Sequence, residues 1–180
     1  MNVVAGAIPG ALIFEPRVFG DARGFFMESY NKRAMAEAGI TADFVQDNHS
    51  RSQSGVLRGL HYQITQPQGK LVRVVSGAVF AAVVDLRRSS PSFGRHMSLA
   101  LSAENRRILW IPPGLANGFL VLSEQADYLY KTTDYYAPEY ERCIAWNDPQ
   151  LAIPWPIEGA PLLAEKDTRG VLLRDAEVFP

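Results

Sequence analysis

The 180-residue chain has little cysteine, little histidine and almost no net charge. It contains one cysteine, Cys143, and three histidines, so an internal disulfide and a cysteine-based zinc motif are both excluded. The formal net charge of −1 at pH 7 argues against a broad surface for nucleic acid or another polyanion. We therefore expect no nucleic-acid partner, and any anionic ligand must be small and bound by a few placed cations.

Long apolar runs are also missing from the chain. No stretch approaches the roughly 20 apolar residues needed to cross a bilayer, so we expect no membrane partner. The N-terminal stretch MNVVAGAIPGALIFEP has no basic region and is interrupted by Gly and Pro, which predicts a first strand rather than a signal peptide. Together with the single cysteine, these features predict a cytoplasmic protein.

The composition is that of an ordinary globular protein. Apolar residues make up 47% of the chain and charged residues 21%, which is enough apolar material for one core. No internal repeat, linker or low-complexity segment divides the sequence. We predict a single domain over residues 1–180.

Short β-prone runs bounded by turn residues recur through the chain and predict an all-β sandwich or barrel. They read GFFMESY, DFVQDNH, VLRGLHYQ, KLVRVVSG, AVFAAVVDLR, HMSLALS, RILWIPPG, NGFLVLSE, ADYLYKTTDYY and RCIAWND. Only Asn31 to Gly39 has a helical pattern, with Asn31 as N-cap and Gly39 at the C-terminal stop. The last ~20 residues are predicted to wrap as a tail with helical turns.

Strand alternation assigns side chains to faces. Tyr128 and Tyr130 fall on one face of their strand, and Lys70 shares a face with Val72 and Val74, because residues two apart point the same way. A lysine on the same face as valines either prevents an edge strand from pairing with another chain or is an inward-facing functional charge.

The stretch RGLHYQ, residues 58–63, places a histidine on a predicted strand. Arg58 and His61 are an odd number of residues apart, so a regular strand would direct them to opposite faces. Either Gly59 marks a bulge that turns one of them, or Arg58 serves the site of a neighbouring subunit.

RGLHYQ and the later IPPGLANGF also occupy the places where a cupin jelly roll would keep metal ligands. His61 is a possible ligand, but Gln63 and Asn117 stand where further histidines would be expected. Too few nitrogen, thiolate or carboxylate ligands remain for a metal centre. We expect no metal, which disfavours a metal-dependent cupin oxygenase.

Eight motifs, in this order, are similar to those of the dTDP-4-dehydrorhamnose 3,5-epimerase family. They read FGDARGFFMESYN, FVQDNHS, LRGLHYQ, QGKLVRVVSG, SAENRRILWIPPG, LYKTTDYY, AWNDP and EKD, and they run from about Phe19 to Asp167. The resemblance implies a cupin-like jelly roll of antiparallel strands with one or a few short helices. It also implies a homodimer. An N-terminal strand such as ALIFEP could add to the partner's sheet, which would cover the exposed hydrogen-bonding groups of its edge.

The activity implied by the resemblance is a cofactor-independent epimerisation at C3 and C5 of a dTDP-linked 4-keto-6-deoxyhexose. Its site residues carry over by motif: His61 is the base, Asp167 its carboxylate partner, and Tyr130 the acid. Lys70 lies near the ketone oxygen. The substrate-binding residues implied are Arg23, Glu28, Gln46, Asp47, Asn48, Arg58, Lys70, Asn117, Glu141 and Lys166.

Asn117 departs from the family pattern, in which histidine is frequent. Asparagine can hydrogen-bond but cannot carry a proton. If this position only orients the sugar, activity should survive; if it takes part in one of the two epimerisations, the chain should be selective for one carbon. Two alternatives therefore stay open: a single-carbon (3- or 5-) epimerase of another dTDP-deoxysugar pathway, and a non-catalytic nucleotide-sugar binding module.

Several remaining polar and aromatic residues are interpreted as structural. His49 and His96 are assigned to surface or structural roles, because no orienting partner is evident in the sequence. Cys143 is assigned as a small, half-buried residue. Tyr128, Tyr135 and Tyr136 are expected mostly in core packing.

Overall fold

The structure, a computed structural model, describes all of residues 1–180 as a strand-rich fold. It has two short α-helices, α1 (Lys32–Glu37) and α2 (Glu165–Thr168), and two 3₁₀ turns at Pro138–Tyr140 and Leu173–Asp175. The strands are β1 (Asn2–Ala5), β2 (Leu12–Glu15), β3 (Val18–Asp21), β4 (Gly24–Met27), β5 (Gln46–Gln53), β6 (Leu57–Gln63), β7 (Lys70–Ser76), β8 (Ala78–Asp85), β9 (His96–Ser102), β10 (Ile108–Ile111), β11 (Leu115–Val121), β12 (Gln125–Thr132) and β13 (Glu141–Cys143).

The strands form two large antiparallel sheets and a separate hairpin. One sheet has the order β1-β2-β10-β7-β12-β5, the other β13-β6-β11-β8-β9, and β3 pairs only with β4. The largest core cluster joins side chains of both sheets, including Val72 and Val74 from β7 with Val79, Ala81 and Val83 from β8. This sandwich confirms the predicted all-β, cupin-like jelly roll.

Strand β8 is buried on both faces, which explains its nearly continuous apolar sequence AVFAAVVD. One face joins the core between the sheets, while Ala82 and Val84 belong to a second cluster. That cluster is closed by Ile144, Leu151 and Leu173 from the C-terminal region. The C-terminal segment therefore wraps over the outside of the five-stranded sheet, as predicted.

The one helix predicted in the N-terminal half is present as α1. The Asn31 side chain accepts hydrogen bonds from the backbone N–H groups of Arg33 and Ala34, at 3.0 and 3.2 Å. Gly39 ends the segment at φ +89°, in the left-handed region that glycine adopts most easily. Neither α1 nor α2 has the length and apolar character of a membrane-spanning helix.

The N-terminal strands differ from the prediction. The ALIFEP segment forms β2, which pairs with β1 on one side and with β10 on the other. Both of its edges are thus occupied within its own chain, so ALIFEP itself has no free edge for a partner's sheet, and β1 is the N-terminal strand at the sheet edge. The exposed apolar element is instead the hairpin of β3 and β4, residues 18–27, which carries Phe19, Phe25 and Phe26 on its surface. We call it the N-terminal hairpin.

Candidate active site

A cavity of about 450 Å³ opens between the two sheets. Strands β5, β7 and β12 supply one wall, β6, β11 and β13 the other, and α2 closes it. Ten of the thirteen predicted site residues line it: Gln46, Asn48, Arg58, His61, Lys70, Asn117, Tyr130, Glu141, Lys166 and Asp167.

An irregularity in β6 brings Arg58 and His61 into the same cavity. Between the pairs Asn117↔His61 and Phe119↔Arg58, three steps along β6 face two along β11, which is the register change of a bulge. Gly59 lies inside it at φ +121°, and a Cβ there would lie 2.5 Å from the Cα of Gly118. The predicted bulge is present, and only glycine fits at position 59, where β6 passes close to Gly118 of β11.

His61 forms a short contact with Asp167 across 106 residues of sequence. Its Nε2 lies 2.5 Å from Oδ1 of Asp167, and the Asp167 residue, in α2, is 2% exposed. A buried carboxylate on one ring nitrogen fixes the imidazole tautomer and stabilises the imidazolium. Nδ1 is then the nitrogen left free to take a proton.

Lys70 and Asn117 form a second polar pair from facing strands. The Nζ of Lys70 donates to Oδ1 of Asn117 at 2.6 Å. Burial lowers the pKa of Lys70 to about 8, with the charge of Lys166 adding to this effect and Glu141 opposing it. The ammonium is therefore poorly solvated, and in such surroundings it stabilises a nearby anion more than it would in water.

Tyr130 lies beside Tyr128 on the inward face of β12, as the alternation predicted. Burial raises the pKa of Tyr130, so its phenol keeps its proton at neutral pH. Tyr128 is 2% exposed and stacks on Phe119, with ring centroids 4.1 Å apart. Tyr128 is therefore a core residue as expected, although it also lines the cavity.

A polar cluster of Glu141, Lys166 and Tyr136 lines another part of the cavity. Glu141 accepts from Nζ of Lys166 at 2.9 Å and from the Tyr136 hydroxyl at 3.1 Å. Desolvation acts to raise the pKa of Glu141, but these partners outweigh it and the net pKa is lowered. Tyr135 and Tyr136 are 62% and 50% exposed, so the core assignment of these two residues is wrong.

Strand β5 divides its predicted residues between its two faces. Gln46 and Asn48 point into the cavity and hydrogen-bond to each other at 2.9 Å. Asp47 points to the opposite face and accepts from Nζ of Lys131 at 2.8 Å. The structure therefore does not bring Asp47 into this chain's cavity, a result that the alternation of β5 alone would have indicated.

Arg23 and Glu28 also lie away from the cavity. Arg23 is at the tip of the N-terminal hairpin, where its largely exposed guanidinium pairs with Asp21. Glu28 follows the hairpin and accepts from the Asn31 side chain at 3.0 Å. Neither residue is among those that line the cavity of this chain.

Two polar residues left out of the predicted site have defined partners. The side chain of His49 is exposed, as predicted, but it has an orienting partner after all, since its Nε2 lies 3.1 Å from Oδ1 of Asp127. The residue also borders the cavity. Gln63 is buried and bonds to three backbone groups, those of Gln66, Tyr135 and Ala137. Gln63 thus holds the loop after β12 in place through its side-chain amide.

Comparison with known proteins gives one consistent result. The family model described as dTDP-4-dehydrorhamnose 3,5-epimerase matches residues 5–175. A Pseudomonas aeruginosa protein of that name is 65% identical, with both chains covered completely. The Legionella pneumophila dTDP-6-deoxy-D-glucose-3,5-epimerase, crystallised with dTDP-4-keto-L-rhamnose, superposes with a TM-score of 0.95 at 52% identity, covering 98% of this chain and 94% of that one.

A single-carbon enzyme has the same fold. The 3'-monoepimerase ChmJ of Streptomyces bikiniensis, in complex with dTDP-quinovose, matches with a TM-score of 0.88 at 34% identity. The match covers 93% of this chain and 86% of that one. Fold alone therefore does not separate one-carbon from two-carbon epimerisation.

Proposed function

The chain belongs to the dTDP-4-dehydrorhamnose 3,5-epimerase family, and from this premise we propose that it converts dTDP-4-dehydro-6-deoxy-glucose to dTDP-4-dehydro-rhamnose. The observation that carries the proposal is the His61–Asp167 pair, set in one cavity with Lys70 and Tyr130. A base, an acid and a cation are what two inversions next to a ketone require.

His61 is proposed as the base. The protons on C3 and C5 are acidified by the C4 ketone, because their removal gives an enolate. Neutral His61 takes such a proton at Nδ1, while Asp167, in contact with Nε2, stabilises the imidazolium that forms.

Lys70 is proposed to stabilise the enolate oxygen. Its ammonium is held by Asn117 at 2.6 Å, so its direction is set before the substrate arrives. A preorganised cation in a water-poor cavity stabilises developing negative charge without reorganisation during the reaction.

Tyr130 is proposed as the acid. Its raised pKa keeps the phenol protonated, so it can return a proton to the enolate carbon from the face opposite His61. Proton removal on one face and return on the other inverts the centre. These steps need only side chains of this chain, so the proposed reaction uses no cofactor.

The remaining cavity residues are proposed to bind the dTDP moiety. Arg58, whose Nε donates to Ser52, and Lys166 supply positive charge for the diphosphate. Gln46, Asn48 and Glu141 supply amide and carboxylate groups suited to thymine and sugar hydroxyls.

Homodimerisation is proposed as the way in which Arg23 and Glu28 take part. The family motif assigns both to the ligand, yet neither lines the cavity of its own chain. The N-terminal hairpin exposes Phe19, Phe25 and Phe26, and exposed apolar clusters commonly mark an interface. A hairpin docked on a second copy would bring Arg23 of the partner subunit to the diphosphate, and a twofold dimer would do this at both sites.

The dimer proposal is tested by replacing Arg23 with alanine. We expect dTDP to bind about 10–100-fold more weakly, because a charge-assisted hydrogen bond is worth about 1.5–3 kcal/mol. The control is Arg33→Ala, which removes an exposed arginine of α1. Calorimetry of both variants with dTDP, together with gel filtration of the unmodified protein, decides the matter. A monomer at working concentration, or equal binding by the two variants, would contradict the proposal.

The proposed reaction is tested by proton NMR in heavy water. Purified, chelator-treated protein is mixed with dTDP-4-dehydro-6-deoxy-glucose, and deuterium entry is followed at each carbon. We expect exchange at both C3 and C5. Exchange at C3 alone would identify a single-carbon epimerase, whereas binding with no exchange would identify a binding module.

A further inference from the structure

Cys143 lies beside the His61–Asp167 pair, a position that the proposed reaction does not explain. It is the residue of β13 that faces His61 across the sheet, and it is half-buried. A ring nitrogen of His61, Sγ of Cys143 and a carboxylate oxygen of Asp167 all lie within 4.8 Å of one another. Three different metal-binding atoms thus lie close together, and two of them belong to residues that line the cavity, His61 and Asp167.

We propose that His61, Cys143 and Asp167 form an inhibitory site for a thiophilic divalent cation such as Zn²⁺. Thiolate, imidazole and carboxylate are all common zinc ligands, and three protein ligands leave a fourth position for water. Mg²⁺ and Ca²⁺ are excluded as occupants, because they prefer oxygen ligands in larger number.

The geometry needs only small movements to accept the ion. Zinc bonds of about 2.0–2.3 Å place tetrahedral ligand atoms roughly 3.2–3.7 Å apart. The 2.5 Å contact between His61 and Asp167 must open by about 1 Å, and the sulfur must approach by a similar amount. The thiol is nearly free to move, since its one hydrogen bond is a 3.6 Å contact to the Ile144 carbonyl.

Zinc binding replaces the proton of the Cys143 thiol, because the thiolate is the form that binds metal. That proton is released to solvent. The carboxylate of Asp167 lies close enough to supply negative charge to the bound ion.

The consequence for His61 follows from its two nitrogens. Zinc bound at Nε2 displaces the hydrogen that Nε2 donates to Asp167, and in neutral imidazole that hydrogen then resides on Nδ1. Nδ1 has no lone pair left to take a substrate proton. Binding of the ion does not rest on the proposed function, whereas the loss of turnover does.

The first experiment reads metal binding without activity. Chelator-treated protein is titrated with Co²⁺, whose bond to a thiolate gives a charge-transfer band in the near ultraviolet. We expect the band in the unmodified protein and in His49→Ala, which breaks the other His–Asp pair. We expect no band in Cys143→Ser. A band that survives in Cys143→Ser, or is absent from the unmodified protein, would overturn the proposal.

The second experiment measures inhibition. Zn²⁺ is expected to inhibit the unmodified enzyme, Mg²⁺ at equal concentration to have no effect, and a chelator to restore turnover. In Cys143→Ser the apparent inhibition constant for Zn²⁺ should rise at least about 10-fold, as it does when a metal site loses even an outer partner. Equal sensitivity of Cys143→Ser and the unmodified enzyme would refute the inhibitory role.

Discussion

Replacing His61 by alanine is expected to lower turnover by about 10²–10⁴-fold, the range of general acid–base catalysis, and to leave dTDP binding nearly unchanged. The physical reason is that His61 is proposed to remove the proton from the reacting carbon, while Arg58, Lys166 and the amides of β5 are proposed to bind the nucleotide. The measurement is turnover by NMR beside dTDP affinity by calorimetry, on the same preparation.

The matched control for this variant is His49→Ala. His49 also contacts an aspartate, at 3.1 Å, but its side chain is exposed. The His49→Ala variant should keep its turnover. Near-normal turnover of His61→Ala would show that another group removes the proton. If His61→Ala instead lost both turnover and dTDP affinity, the substitution would have damaged the structure of the cavity and the role of His61 as base would not be supported.

Replacing Lys70 by methionine is expected to reduce turnover by about 10²–10³-fold, as does loss of one oxyanion-stabilising donor in other enzymes. Methionine keeps the length and apolar character of the stem but carries no charge. The neighbouring Lys131, which pairs with Asp47 on the outer face of the same sheet, gives the control Lys131→Met, and that variant should keep its turnover.

The Lys70 variant should also change the pH profile. The pKa of Lys70 is lowered to about 8, so the ammonium predominates below that pH and neutral amine above it. Turnover of the unmodified enzyme should therefore fall as the pH rises through about 8, because stabilisation of the enolate oxygen is lost. The Met variant should lack this alkaline limb. An identical limb in both proteins would assign it to another group and count against the role of Lys70.

Local sequence patterns were sufficient for much of the fold. The cap at Asn31, the inward face of β12 and the shared face of Lys70 with Val72 follow from propensity and from the two-residue period of a strand. Strand β3 was missed because its four residues, VFGD, are short and contain a glycine. The position of β2 between β1 and β10 was missed because pairing order is a long-range property that no local pattern encodes.

The candidate site was predictable only in part. The contact between His61 and Asp167 spans 106 residues, so only the resemblance to a family indicated it. The place of Cys143 was missed for the same reason, since its neighbours are brought together by β6 and α2 and not by spacing. Asp47 is the opposite case: its outward direction could have been read from its position between Gln46 and Asn48.

Gly59 in β6 and Gly118 in β11 lie where the two strands come very close together. These two positions should tolerate substitution as poorly as the residues that carry the chemistry. Each glycine meets the backbone of the other strand, and a Cβ on Gly118 would lie 2.6 Å from the carbonyl oxygen of Arg58. No shortening of a neighbouring side chain can make room, because the obstacle is main chain on both sides. In a library of random variants selected for activity, only glycine should be recovered at either position. No second substitution elsewhere should restore a variant that lacks one of these glycines.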